Sequence, residues 1–264
     1  MARALIQHLQ GLLLSTPVPS WGLGRPERRR RMLALVAVRD EARFLPGFLR
    51  NVAAHVEGII ALDDGSTDGS DRLLADHPAV LELLRNPPDR PRWDESGNHR
   101  RLVDAALRHG AGWMLCLDAD ERLERHFRIR AERVISRGAL LGLSAYALEL
   151  RELWDGPSQV RVDGLWGGRL RARLFRACAD SSFDARELHG QKAPLQGRRW
   201  GRYPRADLIF YHLRMVRPQD RQARRARYER LDPDRRWQSI GYDYLTDSTG
   251  LRLRPLPPGR DFVD

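Results

Sequence analysis

The sequence predicts an α/β protein with a Rossmann-like, mostly parallel sheet flanked by helices, and with antiparallel strands and helices in the C-terminal part of the chain. Two observations lead to this prediction. In the first half, short apolar runs of strand length alternate with segments whose apolar residues recur at helical spacing. Beyond about residue 140 the alternation ends, and longer strand-like runs are separated by loops rich in glycine, proline and aspartate.

The first half contains four apolar runs with the length of buried parallel strands. Helical patterns separate them: FLPGFLRNVAAHV after the first run, SDRLLADH after the second and NHRRLVDAALRHG before the fourth. Strands that alternate with helices in this way form parallel sheets whose carboxyl ends lie at one edge. The predicted strands are Met32 to Val38, Gly58 to Leu62, Val80 to Leu84 and Trp113 to Leu117.

In the second half we predict antiparallel ribbons from LSAYALELREL and RLRARLFRA, a strand from ADLIFYHL and an arginine-rich helix from PQDRQARRARYERL. Residues 1–31 are expected to form a short helix followed by a linker that contains proline and glycine. We expect a single domain over residues 32–245. Residues 246–264, rich in proline, glycine and charge, are expected to form a tail.

The composition allows a sizeable core and indicates a surface that attracts anions. The chain has 264 residues, of which 42% are hydrophobic, enough for one large domain. Its net charge of +11 comes almost wholly from arginine, since Lys192 is the only lysine. Nucleic acid, an acidic membrane surface and phosphorylated small molecules all suit such a field, so charge alone does not choose among them.

The cysteines and the hydropathy favour a cytoplasmic protein. Cys116 and Cys178 are far apart and lack the spacing of a zinc site or a disulfide framework. No stretch reaches the roughly 18 uninterrupted apolar residues that a membrane-spanning helix needs. The leucine-rich start of the chain and the basic run Arg28 to Arg31 leave a peripheral contact with the inner membrane face open.

Two acidic clusters directly follow predicted strands. Asp63 and Asp64 come after the second strand in LDDGSTDGS, and Asp118, Asp120 and Glu121 come after the fourth in LDADE. Ligands of open α/β sheets bind outside the carboxyl ends of the strands, so we expect both clusters to line one crevice. The first cluster lacks the closing glutamate of an EF-hand loop and follows a strand, which argues against a calcium loop.

Carboxylates that converge in one crevice repel one another unless a cation or hydrogen-bond donors are present. Oxygen ligands suit Mn²⁺ or Mg²⁺, and Mg²⁺ prefers one or two carboxylates together with the oxygens of a substrate phosphate. In Asp118-Ala119-Asp120, residues two apart point to the same side. One carboxylate is then able to bind the metal while the other reaches a sugar hydroxyl, a ribose or a metal-bound water. The pattern predicts a phosphorylated substrate and a divalent cofactor.

Three motifs, in this order along the chain, resemble the GT-A glycosyltransferases of family 2: VRDEARFLPGFLRNV, IIALDDGSTDGS and WMLCLDADERL. The resemblance is strong over residues 32–125 and extends more faintly through RLFRACADSSFDARELHG and LIFYHL. It implies a metal-dependent, inverting enzyme that transfers a sugar from a nucleoside-diphosphate sugar donor to an acceptor hydroxyl. Residues 32–125 would form the nucleotide-sugar half and residues 126–245 the acceptor half. The acceptor, whether a glycan, a lipid-linked molecule or a small molecule, is not identified.

The resemblance also implies roles for single residues. Asp118 and Asp120 match the DxD motif, with Asp120 as the preferred metal ligand and Asp118 reaching the sugar or ribose. His212, inside LIFYHL, is the candidate that completes the metal shell; a core histidine is the alternative. Arg101 would contact the base or diphosphate, with a solvated helix arginine as the alternative. The implied nucleotide-sugar ligands are Ala37, Arg39, Glu41, Asp63, Asp64, Arg101 and Asp118.

Inverting transfer needs a base as well as a cation. A nucleoside diphosphate leaves more easily when a cation neutralises its developing charge, and the attacking hydroxyl must lose its proton. FDARELHG offers Asp184, Glu187 and His189 for this task. Similar enzymes carry an acidic base in this region, which favours Glu187 over Asp184. The motif reads E-L-H-G here, where HE is more usual.

Two other classes of function fit parts of the sequence. A metal-dependent phosphohydrolase or nucleotidyltransferase would use the same carboxylates on a phosphoryl centre. The sequence lacks a Walker P-loop and the glycine-rich signature of sugar nucleotidyltransferases, which argues against this class. A basic nucleic-acid-binding protein would use the arginines, but the motifs are acidic where phosphate would have to lie, so nucleic acid is not an expected partner.

Overall fold

The computed structural model describes residues 16–20, 31–89, 94–176, 178–184 and 190–264. Within them the expected mixed α/β architecture is confirmed: a large sheet of eight strands carries helices on both faces, and a small antiparallel sheet of two strands accompanies it. The strands are β1 (Met32–Val38), β2 (Gly58–Asp63), β3 (Val80–Arg85), β4 (Trp113–Cys116), β5 (Glu121–Leu123), β6 (Ala145–Glu152), β7 (Gln159–Arg161), β8 (Arg169–Phe175), β9 (Arg205–His212) and β10 (Leu253–Pro255). The helices are α1 (Leu45–Ala53), α2 (Ser70–Ala75), α3 (Glu95–Arg108), α4 (Phe127–Ala139) and α5 (Pro218–Leu231).

The first four strands form the parallel half of the large sheet, in the order β3-β2-β1-β4. Both neighbours of β1 pair with it in parallel, so that Val38 lies beside Asp63 and Leu35 beside Cys116. These apolar runs are buried on both faces, as the sequence predicts for parallel strands. Because the strands are parallel, the loops after β1, β2 and β4 leave the sheet at one edge.

The sheet continues from β4 through β8, β6 and β9 to β5. β6 and β8 are antiparallel, as predicted for the second half, but β6 and β9 are parallel, which the predicted ribbons did not include. The register of β6 and β8 shifts where Tyr146 pairs with Leu174 and Ala147 pairs with Ala172, so Arg173 is the extra residue of a bulge. Bulges of this kind redirect a side chain.

Different helices cover the two faces of the sheet. On one face, Phe48 of α1 and Phe127 of α4 pack with Leu148 of β6. On the other face, Leu102 of α3 packs with Met114 of β4. No helix in the described part of the chain combines the length and the apolar character needed to cross a membrane.

Both ends of the described chain are attached to the C-terminal part of the fold. Val18 forms a parallel bridge with Ala206 of β9. The expected tail, residues 246–264, contributes β10, which pairs with β7, and its Arg260 binds the buried carboxylate of Glu124. The helix expected in the leucine-rich start of the chain lies outside the described residues.

Candidate functional site

The candidate site lies at the carboxyl edge of the parallel half, where the loops after β1, β2 and β4 leave the sheet. Since β1 lies between the other two strands, β2 and β4 are about 10 Å apart. Arg214, just after β9, connects two of the loops: its Nε donates to Asp120 Oδ2 at 2.7 Å and its Nη2 donates to Glu41 Oε1. The two acidic clusters therefore leave the same edge of the sheet.

Side-chain oxygens from the second half of the loop after β2 bind the neighbouring loop after β1. Their partners are mainly backbone N–H groups. These contacts, which we call the loop clasp, are Ser66 Oγ with Asp40 N–H (3.0 Å), Ser70 Oγ with Glu41 N–H (2.8 Å), Asp68 Oδ2 with Ala42 N–H (2.9 Å) and Asp40 Oδ1 with Thr67 N–H (2.8 Å). The hydroxyl residues and the third aspartate of LDDGSTDGS are thus structural, which leaves the first two aspartates for a ligand.

Asp63 turns the chain at the end of β2 and keeps one oxygen unused. Its Oδ2 accepts the N–H groups of Gly65 and Ser66, each at 3.2 Å. Gly65 adopts a φ of +78°, and a Cβ there would lie 2.6 Å from the Cα of Pro88, so only glycine fits the turn. Asp63 Oδ1 is buried and has no partner among the described residues. This acceptor is therefore unsatisfied within the described residues.

Asp64 belongs to a buried polar network. Its Oδ1 accepts from the side-chain amide of Asn98 in α3 at 3.1 Å and from that of Asn86, which follows β3. Asn86 also donates to Asn98 Oδ1 at 2.9 Å. Arg101 is exposed and donates to Asn86 Oδ1, so it is connected to Asp64 through an amide.

The DxD turn is held by an arginine of β8. Arg173 Nη2 donates to Asp118 Oδ2 at 2.9 Å and to Glu121 Oε1 at 2.8 Å. Glu121 Oε2 in turn accepts the N–H of Asp118 at 2.9 Å. The Asp118 side chain remains 54% exposed, whereas Asp120 and Glu121 are buried. Asp118 therefore faces the crevice while Glu121 fixes the turn from inside.

Asp120 is surrounded by cationic side chains. Besides Arg214, its Oδ2 lies 3.2 Å from His212 Nε2. On the other side of the ring, His212 Nδ1 lies 2.5 Å from Glu152 Oε2. Arg224 Nη1, from α5, lies 2.9 Å from the same Nε2. Only one of the two contacts of Nε2 is a hydrogen bond at a time, because this nitrogen either donates to Asp120 or accepts from Arg224.

These partners determine which groups carry charge. Burial disfavours a charged Asp120, but His212 and Arg214 outweigh it and hold the pKa of that carboxyl well below its usual range. Burial also opposes a charged His212, yet the two flanking carboxylates raise its pKa to about 10, so the imidazole is protonated at neutral pH. Burial raises the pKa of Glu121 to about 8. At neutral pH, arginine, imidazolium and a largely protonated Glu121 therefore relieve the carboxylate repulsion expected from the sequence.

Asp120 and His212 supply two donor atoms that suit a divalent ion. Their separation of 3.2 Å is close to the distance of about 3 Å between adjacent ligands of an octahedral ion such as Mg²⁺. A carboxylate on the other ring nitrogen, as Glu152 provides, is typical of metal-binding histidines. Ion binding would require His212 to lose its proton and Arg214 and Arg224 to leave these atoms. Within the described ranges, no three His, Cys, Asp or Glu side chains form a group that could hold a metal ion.

The positions of the remaining predicted site residues do not assign them a role. Ala37 and Arg39 lie at the end of β1 and just after it, both partly buried. Asp184 accepts the N–H of Gln191 at 3.4 Å. Glu187, the preferred base, lies outside the described residues. The identity of the base stays a prediction.

Several residues of the site were not predicted from the sequence. Arg173 belongs to RLRAR, whose arginines recur at every second position, a pattern that places charge on one face of a strand. The only sequence signal for Arg214 is its position two residues after the predicted site residue His212. No local pattern marks the others, which are Asn86, Asn98, Glu152 and Arg224.

The sequence matches no family model but is similar to part of a longer protein. The chain is 28% identical over 256 residues to an uncharacterized protein of Mycobacterium tuberculosis; the match covers 87% of this chain, which spans only 62% of that relative's length.

Among solved structures, the chain is similar to a mannosyltransferase from Pyrobaculum calidifontis in complex with GDP-Man and Mn²⁺, with 18% identity, 86% of this chain and 69% of that chain covered, and a TM-score of 0.44. It is also similar to glucosyl-3-phosphoglycerate synthase from Mycobacterium tuberculosis in complex with Mn²⁺, UDP and glucosyl-3-phosphoglycerate, with 15% identity, 51% of each chain covered and a TM-score of 0.31. Membership of the inverting family 2 stays a prediction.

Proposed function

We propose that this chain is a metal-dependent glycosyltransferase that moves a sugar from a nucleoside-diphosphate sugar to an acceptor hydroxyl with inversion. The observation that carries the proposal is the set of groups at the carboxyl edge of β2, β1 and β4. Asp63, with a buried oxygen that has no partner among the described residues, and Asp118, with an exposed carboxylate, occur there together with the cations around Asp120. Hydroxyl groups and a diphosphate are the ligands that such a mixed set complements.

In this proposal the half of the site around β2 binds the nucleoside. Asp63 Oδ1, buried and without a partner among the described residues, accepts a hydroxyl or an N–H of the nucleoside. The amides of Asn86 and Asn98 fix the orientation of Asp64, and Arg101 is held near them through Asn86. Because this network is already ordered, its side chains lose little conformational entropy when the ligand binds.

The half around β4 binds the diphosphate and the sugar. Asp118 is exposed toward the crevice and accepts a sugar or ribose hydroxyl. Asp120 and His212 would hold the Mn²⁺ or Mg²⁺ ion, which supplies charge neutralisation for the leaving diphosphate. Once these two residues bind the ion, the guanidinium groups of Arg214 and Arg224 become free to bind phosphate oxygens. An acidic side chain of residues 184–187 accepts the proton of the acceptor hydroxyl.

The test is calorimetric titration of UDP, GDP, dTDP and CDP into the protein with and without Mn²⁺. We expect one nucleotide to bind in a Mn²⁺-dependent manner. In the variant Asp120→Asn, binding should weaken at least about tenfold, which corresponds to about 1.4 kcal/mol. Asp104→Asn, an exposed change in α3, is the matched control and should bind like the unmodified protein. Equal binding by all three proteins would refute the proposal.

Product analysis separates the proposal from the phosphoryl-transfer alternative. With the matching nucleoside-diphosphate sugar, the protein should release the nucleoside diphosphate and a sugar whose anomeric configuration is inverted, as proton NMR reports. Hydrolysis of p-nitrophenyl phosphate by the unmodified protein, lost in Asp120→Asn, would favour a phosphohydrolase instead.

A further inference from the structure

Three arginines of β8 line one face of the sheet beside the DxD turn. Arg169 and Arg171 lie opposite two leucines of β6 that belong to the face covered by α1 and α4. The guanidinium of Arg173 lies 5.6 Å from the ring centroid of Phe210, which belongs to the same face. Alternation along β8 places Arg173 on this face with the other two, and the bulge puts Leu174 on the same face. We call Arg169, Arg171 and Arg173 the arginine row.

The arginine row starts at the DxD turn and leads away from it. β4 pairs with β8 only at Leu174 and Phe175, so the row extends past the carboxyl end of β4. Arg173 contacts Asp118 at the near end, and residues two apart along a strand lie about 6–7 Å apart. β8 is also on the opposite side of β4 from β1 and β2. The row therefore lies away from the proposed nucleoside side of the crevice.

Arg171 is the member of the row that forms no ion pair within the described residues. Arg169 binds Glu152 at 2.9 Å and Arg173 binds two carboxylates. Arg171 donates one hydrogen bond, from Nη1 to the carbonyl of Leu170 at 3.1 Å, and forms no ion pair with any residue of the described ranges. Its side chain is half-buried, and burial together with the two flanking guanidinium groups lowers the pKa of Arg171 to about 10.

The arginine row also contains a hydrogen-bond donor without a partner in the described part of the chain. The Nε of Arg173 is buried and has no hydrogen-bond partner among the described residues, and the Arg173 side chain is more than nine-tenths buried. A buried donor without a partner and a half-buried cation without an ion pair both cost free energy. A bound anion would offset both costs at once.

We propose that the arginine row binds an anionic group of the acceptor, a phosphate or a carboxylate, with Arg171 as its main contact. This inference rests on the proposed glycosyl transfer and names the acceptor class for it. Guanidinium groups bind planar carboxylates and phosphates through paired N–H donors, which a neutral hydroxyl does not match. The anion is separate from the donor diphosphate, for which the arginines at Asp120 and His212 are closer. Anchored at Arg171, the acceptor extends toward Asp118, where its hydroxyl meets the donor sugar.

Calorimetric titration of three probes with one sugar frame tests this inference. The probes are glucose 6-phosphate, glucuronate and glucose, which differ in carrying a phosphate, a carboxylate or neither. Each is titrated into the unmodified protein, Arg171→Met and Arg171→Lys, with and without saturating Mn²⁺ and nucleoside diphosphate. Midpoints of urea unfolding verify that each variant is folded.

We expect one charged probe to bind the unmodified protein at least tenfold more tightly than glucose does. Arg171→Met should lose this tenfold preference, and Arg171→Lys should restore at least a third of it, because the lysine keeps the charge. The probe that binds more tightly identifies phosphate or carboxylate as the anion. Equal binding of all three probes, or equal binding of the charged probe by Arg171→Met and the unmodified protein, would overturn the inference. The titrations without nucleotide remain informative if the donor proposal fails, because they measure anion binding alone.

Discussion

The loops after β2 and β4 both present carboxylates at the same edge of the sheet, but they satisfy these oxygens in different ways. The side chains of the first loop bind backbone N–H groups of a neighbouring loop, at sequence separations of 26 to 29 residues. The carboxylates of the second loop bind guanidinium groups at separations of 55 residues, to Arg173, and 94 residues, to Arg214.

The difference teaches how each loop is held and what it leaves for a ligand. Backbone N–H groups carry no net charge, so the loop clasp fixes its loop without changing the charge of the crevice. Guanidinium groups do carry charge, so the loop after β4 depends on an electrostatic balance with Arg173, Arg214 and His212. A ligand that binds at β4 has to replace contacts between these cations and the carboxylates. A ligand at β2 has only to donate a hydrogen bond to the Oδ1 of Asp63, which is unpaired within the described residues.

The largest effect is expected from Arg173→Met, which removes the guanidinium behind the DxD turn. Glu121 is buried, and removing one partner from a buried ion pair costs about 3 kcal/mol or more. At about pH 9 the Glu121 carboxyl, whose pKa is about 8, is largely ionised, so we expect the free energy of unfolding from urea titration at this pH to fall by about 3 kcal/mol.

Arg171→Met, on the same strand, is the matched control for this change. Its guanidinium has no ion-pair partner in the described part of the chain, so the free energy of unfolding should change by less than about 0.5 kcal/mol. Equal losses in both variants would mean that β8 is sensitive to any change of an arginine, and the comparison between the loops would lose its electrostatic basis.

The sequence predicted the parallel half of the fold because that half is encoded locally. The run Met32 to Val38 matches β1 residue for residue, and the runs for β2, β3 and β4 differ from the observed strands by one residue at the carboxyl end. Apolar runs of strand length and helical periodicity are both properties of short windows. Helix α4 was not predicted, although Phe127, Ala131 and Val134 of FRIRAERVISRGA recur at helical spacing. The parallel pairing of β6 with β9 joins segments that are too far apart for any local pattern to specify.

The same distinction applies to the candidate site. Asp63, Asp64, Asp118 and Asp120 were identified because they follow strands directly. Apart from His212, their partners in the second half were not, because contacts such as that between Asp120 and Arg214 depend on the tertiary arrangement of β4 and β9. An arginine content that accounts for nearly all of the +11 net charge was read as a surface property, whereas some of these arginines are buried beside carboxylates.

A smaller effect is expected in the loop clasp from Asp68→Asn. Asp68 Oδ2 accepts the N–H of Ala42, and its Oδ1 accepts the N–H and the hydroxyl of Ser70. Asparagine keeps one acceptor oxygen, so the free energy of unfolding should fall by about 1 kcal/mol. Asp76→Asn, an exposed change just after α2, is the matched control and should have no measurable effect. A loss of about 3 kcal/mol or more in Asp68→Asn would show that the clasp contributes as much as a buried ion pair.

At acid pH the unmodified protein should lose its greater stability over the variant Asp68→Asn. Slight burial opposes the shift, but the Ser70 hydroxyl and nearby N–H groups outweigh it, and the pKa of Asp68 lies below its usual value. A carboxyl with a lowered pKa stabilises the fold fully above the pKa of the unfolded chain and loses this contribution as the pH falls through the folded pKa. The difference in melting temperature between the unmodified protein and Asp68→Asn should therefore be constant from about pH 7 to pH 5 and shrink below about pH 4. A difference that grows in acid would contradict the assigned contacts.

The smallest effect is expected from Ser66→Ala, which removes one exposed contact of the loop clasp. Ser66 Oγ accepts the N–H of Asp40 at 3.0 Å, and Asp40 has a positive φ of 55°, a conformation that the clasp helps to hold. The loss should be about 0.5 kcal/mol, too small for a clear shift of the unfolding midpoint. Hydrogen exchange of the Asp40 amide is more sensitive, and we expect it to accelerate about twofold, which 0.5 kcal/mol implies. The amide of Leu117, which donates to Leu35 inside the sheet, should exchange at an unchanged rate. Acceleration at both amides would mean that the clasp stabilises the sheet edge as a whole, and that the two loops are less independent than their separate donors indicate.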